Sequence, residues 1–169
     1  MTGTTTLSLG GLLAALIVLY ANLRPWWRGG REMKKLAAFS KGLAGALCAA
    51  TCPGGILGWA RNRTGSIANG AGETTSRATT GTTQTQGLTG GQMTGLGIGA
   101  LIVVLIVFAV GVAWKEAGKE DRRRIVGGAF VGCVASLTAG VAGALSWLPG
   151  ALNGLGEAVQ AAVEGTGLL

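Results

Sequence analysis

Residues that could support catalysis are scarce in this chain. Histidine is absent, which removes the commonest proton shuttle and metal ligand. The cysteines Cys48, Cys52 and Cys133 stand among small apolar residues, without the further ligands that a metal site needs. Ser136 and Thr138 have no accompanying base that would activate a hydroxyl. We therefore predict a protein that is not an enzyme, binds no metal or cofactor, and uses its cysteines as packing residues.

Basic residues are the main candidates for binding. The chain holds 14 Lys and Arg against 7 Asp and Glu, a net charge of +7. Most of them fall in two blocks, residues 24–41 and 115–124, beside apolar runs. The candidate residues are Arg24, Arg28, Arg31, Lys34, Lys35, Lys115, Lys119, Arg122, Arg123 and Arg124. Such blocks are typical of cytoplasmic loops in membrane proteins, which we favour, and they could also contact DNA or anionic lipid.

Small residues recur every four positions in two places, and this spacing favours helix packing. Residues on one helix face at this spacing form a groove that another backbone can approach closely. The partner could be a helix of the same chain or of another copy, so a homo-oligomer is one expectation. The candidate packing residues are Gly91, Gly95 and Gly99 in the first repeat and Gly128, Gly132, Ser136, Gly140 and Ala144 in the second.

Four apolar runs would position these residues: 7–23, 42–60, 95–114 and 125–148. The third has about twenty uncharged residues, the length that crosses a hydrocarbon layer of about 30 Å. Only 12% of the chain is charged, against about 25% in soluble domains. We therefore predict an all-α polytopic membrane protein with about four transmembrane helices. Five tryptophans near the ends of these runs would anchor it at the membrane interface: Trp26, Trp27, Trp59, Trp114 and Trp147.

The predicted order along the chain is two membrane hairpins joined by a flexible loop. Residues 1–63 form the first hairpin, with Pro25 ending its first helix and block 24–41 between its helices. Residues 64–94 are a flexible loop rich in Thr and Gly, because they offer few large apolar side chains to bury. Residues 95–148 form the second hairpin around the basic turn 115–124, and residues 149–169 form an amphipathic tail.

The distribution of basic residues predicts the orientation of the chain in the cell membrane. The two blocks hold six and five, the Thr/Gly-rich segment with its preceding residues holds three, and both termini hold none. Four spans with both termini on the non-cytoplasmic side fit this count. Because Pro53-Gly54-Gly55 interrupts the run 42–60, this run is a kinked span, which we favour, or a re-entrant segment, which would leave three spans.

The composition and the blocks RPWWRGGREMKK and KEAGKEDRRR give a resemblance to a family. The chain resembles the Spread (Spd) membrane proteins encoded by conjugative elements of actinobacteria, over its whole length. The resemblance implies a role in passing DNA between cells, as a pore or scaffold component that works with other proteins of the transfer apparatus. The basic blocks would then contact DNA or a DNA translocase.

Two other classes share parts of this pattern. Phage holins are also small, polytopic and basic at their cytoplasmic ends, although the tail of this chain lacks basic residues. The apolar pair within residues 95–148, joined by a short basic turn, resembles the pilins of conjugative pili, from which the N-terminal hairpin departs. Membrane permeabilisation and a structural role in a filament or virion are therefore the alternatives to a role in DNA transfer.

Overall fold

The computed structural model describes residues 7–30, 33–52, 54–80, 88 and 96–165. Within these residues all regular secondary structure is helical, which confirms the prediction of an all-α protein. The helices are α1 (Leu9–Arg28), α2 (Met33–Ala50), α3 (Gly55–Thr80), α4 (Ala100–Glu116), α5 (Lys119–Ser136), α6 (Ala139–Ala144) and α7 (Leu148–Gly165).

Among the described helices, α1 is long and apolar enough to cross a bilayer. The helices α2 and α3 would add a second candidate if they are taken as one broken span, in which the axis turns by 114°. α4 is the most apolar helix, and its 17 residues would extend about 26 Å at about 1.5 Å per residue. The coarse prediction of apolar, membrane-length helices is thus met by one or two segments.

The centre of the bundle is the pair α2 and α5, the most extensive helix contact in the described chain. These helices run in the same direction, since Gly128 lies against Phe39 and Gly132 lies against Leu43 and Ala46. Glycine permits this approach, because a Cβ at Gly128 would overlap the backbone oxygen of Phe39. The two helices of the bundle core therefore come from the two different predicted hairpins.

The other helices surround this pair. α1 is antiparallel to α5, because its first residues cluster with Val134 and Leu137 while Asn22 contacts Gly127. α4 packs on α2, where Gly45 lies against Val110. α4 and α5, which the sequence analysis assigns to one hairpin, contact each other much less than α5 contacts α2.

The predicted flexible loop 64–94 is wrong for residues 64–80, which continue α3. Its low content of large apolar residues does not prevent packing, because the buried positions of α3 are small: Gly58, Gly65, Ala68 and Gly72. A Cβ at Gly72 would overlap the backbone of Gly10 in α1, so the two helices cross in backbone contact. Apart from Leu88, residues 81–94 lie outside the described residues.

Two of the predicted runs are broken. In the run 42–60, α2 ends at Ala50, where the Thr51 hydroxyl donates to the Cys48 carbonyl, and α3 begins at Gly55 with a φ of 67°. In the run 125–148, α5 ends at Ser136, and Thr138 caps α6 by accepting a hydrogen bond from the Val141 N–H. The first interruption is the one predicted from Pro53-Gly54-Gly55, and the second lies inside a run that the sequence predicts as a single span.

Three other boundaries also differ from the predictions. Pro25 does not end the first helix, which continues to Arg28, and the Gly29 N–H donates to the Pro25 carbonyl at 3.0 Å. The basic turn 115–124 is almost entirely helical, since only residues 117 and 118 separate α4 from α5. In the predicted amphipathic tail, Leu148–Gly165 form a helix.

Candidate functional site

The structure brings the two basic blocks to the same end of the helix bundle, which we call the basic end. α5 begins in the second block, and its early residues Ile125 and Gly128 pack against Gly42 and Phe39 of α2, which begins in the first block. The contact of Gly127 with Asn22 places the final turns of α1 at this end as well. The basic end therefore consists of the ends of α1 and α4 and the beginnings of α2 and α5.

The whole net charge of the protein belongs to the two blocks that meet at this end. Residues 24–41 and 115–124 contain eleven of the 14 basic residues and four of the 7 acidic residues, which accounts for the net charge of +7. The remaining residues carry three charges of each sign. Arg31 lies outside the described residues, as do the side chains of Lys34 and Lys35. The end is a concentrated positive surface.

Two arginines of the second block are fixed by contacts within the chain. Arg122 donates from Nε to the Trp114 carbonyl at 3.0 Å and from Nη2 to the Lys115 carbonyl at 2.5 Å, and its guanidinium lies 5.3 Å from the centre of the Trp114 ring. Arg124 is largely buried and lies within 3.6 and 3.7 Å of Glu120 and Asp121. These contacts hold the connection between α4 and α5 in one shape.

The other basic residues of this end project into solvent. Arg24 and Arg28 on α1 and Lys115, Lys119 and Arg123 on α4 and α5 are exposed. They have no ion-pair partner within the part of the chain that the structure describes. They are therefore available to an external anion.

Three of the predicted interface tryptophans lie at the basic end. The rings of Trp26 and Trp27 are 6.4 Å apart and tilted by 59°, and the buried indole N–H of Trp26 has no hydrogen-bond partner among the described residues. Trp114 supports Arg122 at the end of α4. Trp59 and Trp147 lie in segments that follow α2 and α5, away from this end, and both are exposed.

Large apolar side chains cover the outer surface of α1 and α4. On α4, Val103 is the only buried residue, while Leu101 and Phe108 are 70% and 68% exposed. The other exposed apolar side chains on and just before this helix are Ile98, Val104, Leu105, Val112 and Trp114. α1 exposes Leu9, Leu13, Leu16, Ile17, Tyr20 and Trp27 in the same way. Exposed apolar faces of this size mark surfaces that contact a partner or a membrane.

The structure divides the predicted small-residue groove of the last run. Gly128, Gly132 and Ser136 are buried on α5, the first two against α2. Gly140 and Ala144 lie on α6, where a Cβ at Gly140 would meet nothing within 4 Å. The groove is therefore interrupted at the break between α5 and α6, where the hydroxyls of Ser136 and Thr138 donate to the carbonyls of Cys133 and Ala135.

In the other predicted repeat, only Gly99 is described, and it contacts α7. A Cβ at Gly99 would lie 2.7 Å from the Asn153 backbone nitrogen, and one at Gly156 would lie 2.5 Å from the Ile98 side chain. Gly91 and Gly95 lie outside the described residues. Asn153 Oδ1 accepts hydrogen bonds from the N–H groups of Gly97 and Gly99 at 3.2 and 3.0 Å, and so holds the residues just before α4 against α7.

Sequence reasoning missed a set of polar contacts opposite the basic end. Arg61 donates to the Ser136 carbonyl at 3.1 Å, at the negative end of the α5 dipole. Asn69 Oδ1 accepts from the Ser8 N–H at 2.7 Å and thereby joins α3 to the start of α1. The signal that could have found these residues is the spacing of Gly58, Gly65, Ala68 and Gly72, which marks one face of a helix.

The residues around the three cysteines do not favour metal binding. Cys48, Cys52 and Cys133 are free and partly buried. No group of three or more residues suited to hold a metal ion occurs among the described residues.

Comparison of the chain with family models, with curated protein sequences and with solved structures finds no match. The basic end, the apolar exterior and the small-residue contacts are therefore the observations from which a function is argued.

Proposed function

We propose that this chain is a multi-pass membrane protein in which α1, α2, α4 and α5 cross the bilayer. The observation that carries the proposal is the distribution of side-chain size: large apolar residues lie on the outside of α1 and α4, and small residues lie between α2 and α5. A protein in water gains stability by burying its large apolar side chains. A bundle in lipid gains no such stability from burying large apolar side chains, and its small residues allow close helix contact.

The proposed orientation has the basic end in the cytoplasm and both termini on the other side. The chain passes from α1 to α2 and from α4 to α5 at the basic end, so each connection with excess positive charge is on one side. This arrangement follows the positive-inside rule. α3, with its Thr-rich second half, lies on the non-cytoplasmic side in this proposal.

Within the membrane, the proposed role is that of a non-enzymatic scaffold or pore component in the transfer of DNA by a mobile element. The resemblance of the basic blocks and composition to the Spread membrane proteins supports this process. The packed interior supports a scaffold, because α2 and α5 are joined to each other over most of their length. A pilin-like subunit is less compatible with this packing, since α4 and α5 do not form a self-contained pair.

Cysteine accessibility tests the topology. In a variant without native cysteines, a single cysteine replaces either Arg123 at the basic end or Gly70 on α3, where a Cβ would meet nothing within 4 Å. In intact cells, a membrane-impermeant maleimide should label position 70 only, and lysis should make position 123 reactive. Labelling of both positions in intact cells, or release of the chain from membranes by alkaline extraction, would contradict the proposal.

A mating assay tests the process. Deletion of the gene from a conjugative donor should reduce DNA transfer, and the wild-type gene supplied in trans should restore it. Expression alone should leave the membrane intact. Rapid release of cytoplasmic enzymes on expression would instead indicate a holin-like function. Unchanged DNA transfer after deletion would show that the chain is not part of the transfer apparatus.

A further inference from the structure

The basic residues at the basic end outnumber the acidic residues of the same two blocks. Arg24, Arg28, Lys115, Lys119 and Arg123 have no ion-pair partner among the described residues, and the same holds for Lys41 on α2. Of the nearby acids, Glu120 and Asp121 face Arg124 and Glu116 is exposed, and block 115–124 still has five basic residues against three acidic ones. An external anion is therefore needed to neutralise this surface.

The neighbouring tryptophans indicate how deep these charges lie relative to the headgroup region of the bilayer. Trp27 is 69% exposed one residue before Arg28, and Trp114 is 43% exposed one residue before Lys115. Exposed indole rings at the junction of an apolar helix and a charged segment occupy the headgroup region of a bilayer. The basic side chains beside them reach the same depth, because long basic side chains extend toward the interface.

Contacts within the turn between α4 and α5 fix the backbone that carries three of these charges. Arg122 holds the last carbonyls of α4, and Arg124 pairs with acids of the first turns of α5. Lys115, Lys119 and Arg123 are exposed around this fixed turn. We propose that these three residues bind the phosphate groups of anionic phospholipids in the surrounding leaflet, an inference that rests on the proposed membrane insertion.

Lipid fits this surface better than nucleic acid does. The described connection between α4 and α5 is only residues 117 and 118, so the charges stay close to the apolar helix ends and form no projecting arm. A lipid phosphate in the same leaflet reaches Lys115, Lys119 and Arg123 from the side. A nucleic-acid duplex would have to contact this basic surface from the cytoplasm. The indole rings would then contribute nothing to binding of the nucleic acid's phosphate backbone.

Quenching by brominated lipid measures this binding next to the proposed site. The full chain, with Trp114 kept as the single tryptophan and the other four replaced by Phe, is reconstituted into bilayers of phosphatidylcholine and phosphatidylglycerol. Either lipid is supplied in brominated form. Phosphatidylglycerol should be preferred near Trp114 at low ionic strength, by about fivefold for each basic side chain in contact, and salt should reduce the preference.

Two sets of substitutions separate a specific contact from general attraction. Lys115→Gln, Lys119→Gln and Arg123→Gln together should bring the preference close to unity. The control combines Arg63→Gln and Arg77→Gln, which remove two exposed charges from α3 and should leave it unchanged. If the single-tryptophan chain does not fold, native mass spectrometry of the wild-type chain and these variants, released from mixed-lipid bilayers, counts the phosphatidylglycerol that each retains.

The possible outcomes distinguish this inference from the proposal on which it depends. Equal quenching by both brominated lipids at Trp114 would overturn the lipid site while leaving membrane insertion intact. An absence of quenching by either lipid would overturn membrane insertion itself. Tight binding of a duplex oligonucleotide to bilayers of pure phosphatidylcholine that hold the chain, lost in the triple variant, would assign the surface to nucleic acid and overturn the lipid site.

Discussion

The helices α4 and α5 are neighbours in sequence, but they place opposite kinds of residue on the inside of the bundle. α5 buries Gly128, Gly132 and Ser136 among a few branched side chains and is covered by α2. α4 carries the largest concentration of bulky apolar residues in the chain, yet it buries only Val103. Size, rather than polarity, therefore separates the buried residues from the exposed ones in these two helices.

This contrast between α4 and α5 indicates whether the outer surface of the bundle suits water or lipid. In water, exposing residues such as Leu101 and Phe108 while burying glycine would lose the main source of folding free energy. In lipid, exposed apolar residues cost nothing, and close backbone contact is the available source of stability. The largest expected effects therefore come from variants that reverse the character of either surface.

Charge on the outer face of α4 should have the largest effect. Val104→Lys and Phe108→Lys together place two positive charges at the middle of a helix whose exposed face is apolar. The cost of insertion should rise by about 6 kcal/mol, from about 3 kcal/mol for each lysine at the centre of a span. We expect loss of membrane integration, measured as the fraction of chain that resists alkaline extraction.

The matched control for this face is Val104→Ile combined with Phe108→Leu, which keeps it apolar and should leave integration unchanged. If the double lysine variant were instead recovered as a soluble, monodisperse protein with native helical content, then α4 would face water, and the contrast with α5 would need another explanation.

The inner face of α5 should tolerate no added methyl group where it meets α2. In Gly128→Ala the new Cβ would overlap the Phe39 carbonyl, which is backbone and cannot rotate away. We expect a loss of about 2–3 kcal/mol in the free energy of unfolding, measured by denaturation in mixed micelles. Gly140→Ala, in open space on α6, should be neutral or stabilising by up to about 1 kcal/mol. Equal effects of the substitutions at Gly128 and Gly140 would contradict the interruption of the small-residue groove between α5 and α6.

A second glycine pair tests whether α3 belongs to the bundle. A Cβ at Gly72 would overlap the backbone of Gly10, whereas one at Gly70 would meet nothing within 4 Å. Gly72→Ala should therefore cost about 1–2 kcal/mol and Gly70→Ala should not, because alanine also favours the helix. The measurement is the same unfolding titration. Identical stability of both variants would mean that this segment is not packed on α1.

Part of this fold could be predicted from the sequence, because some of its signals are local. The uncharged run of α4, the basic block that ends at Arg124 and the helical tail depend on residues near one another, and hydropathy or spacing reveals them. The helix contacts of Gly128 and Gly132 follow from spacing too, but their partner does not. That α2 rather than α4 fills this groove is a property of the tertiary arrangement.

The misjudged segments share one physical cause. In α3, and at the break after Ser136, the deciding residues are small or hydroxyl-bearing, and their effect depends on what lies next to them. Glycine weakens an isolated helix but strengthens one that needs close contact. Where α5 ends, the Ser136 hydroxyl donates to the Cys133 carbonyl of the preceding turn, a contact that the sequence alone leaves open.

The smallest expected effect comes from the polar contact that fixes the beginning of α4. Asn153→Ala removes the side chain that accepts hydrogen bonds from the N–H groups of Gly97 and Gly99. Loss of these hydrogen bonds should cost about 1 kcal/mol and increase hydrogen exchange at these two amides. Gln160→Ala, at an exposed site of α7 that bonds only to Glu164, should change neither. If Asn153→Ala left exchange at both amides unchanged, α7 would not be docked on α4, and its apolar positions Leu152 and Leu155 would be free to lie on the membrane surface instead.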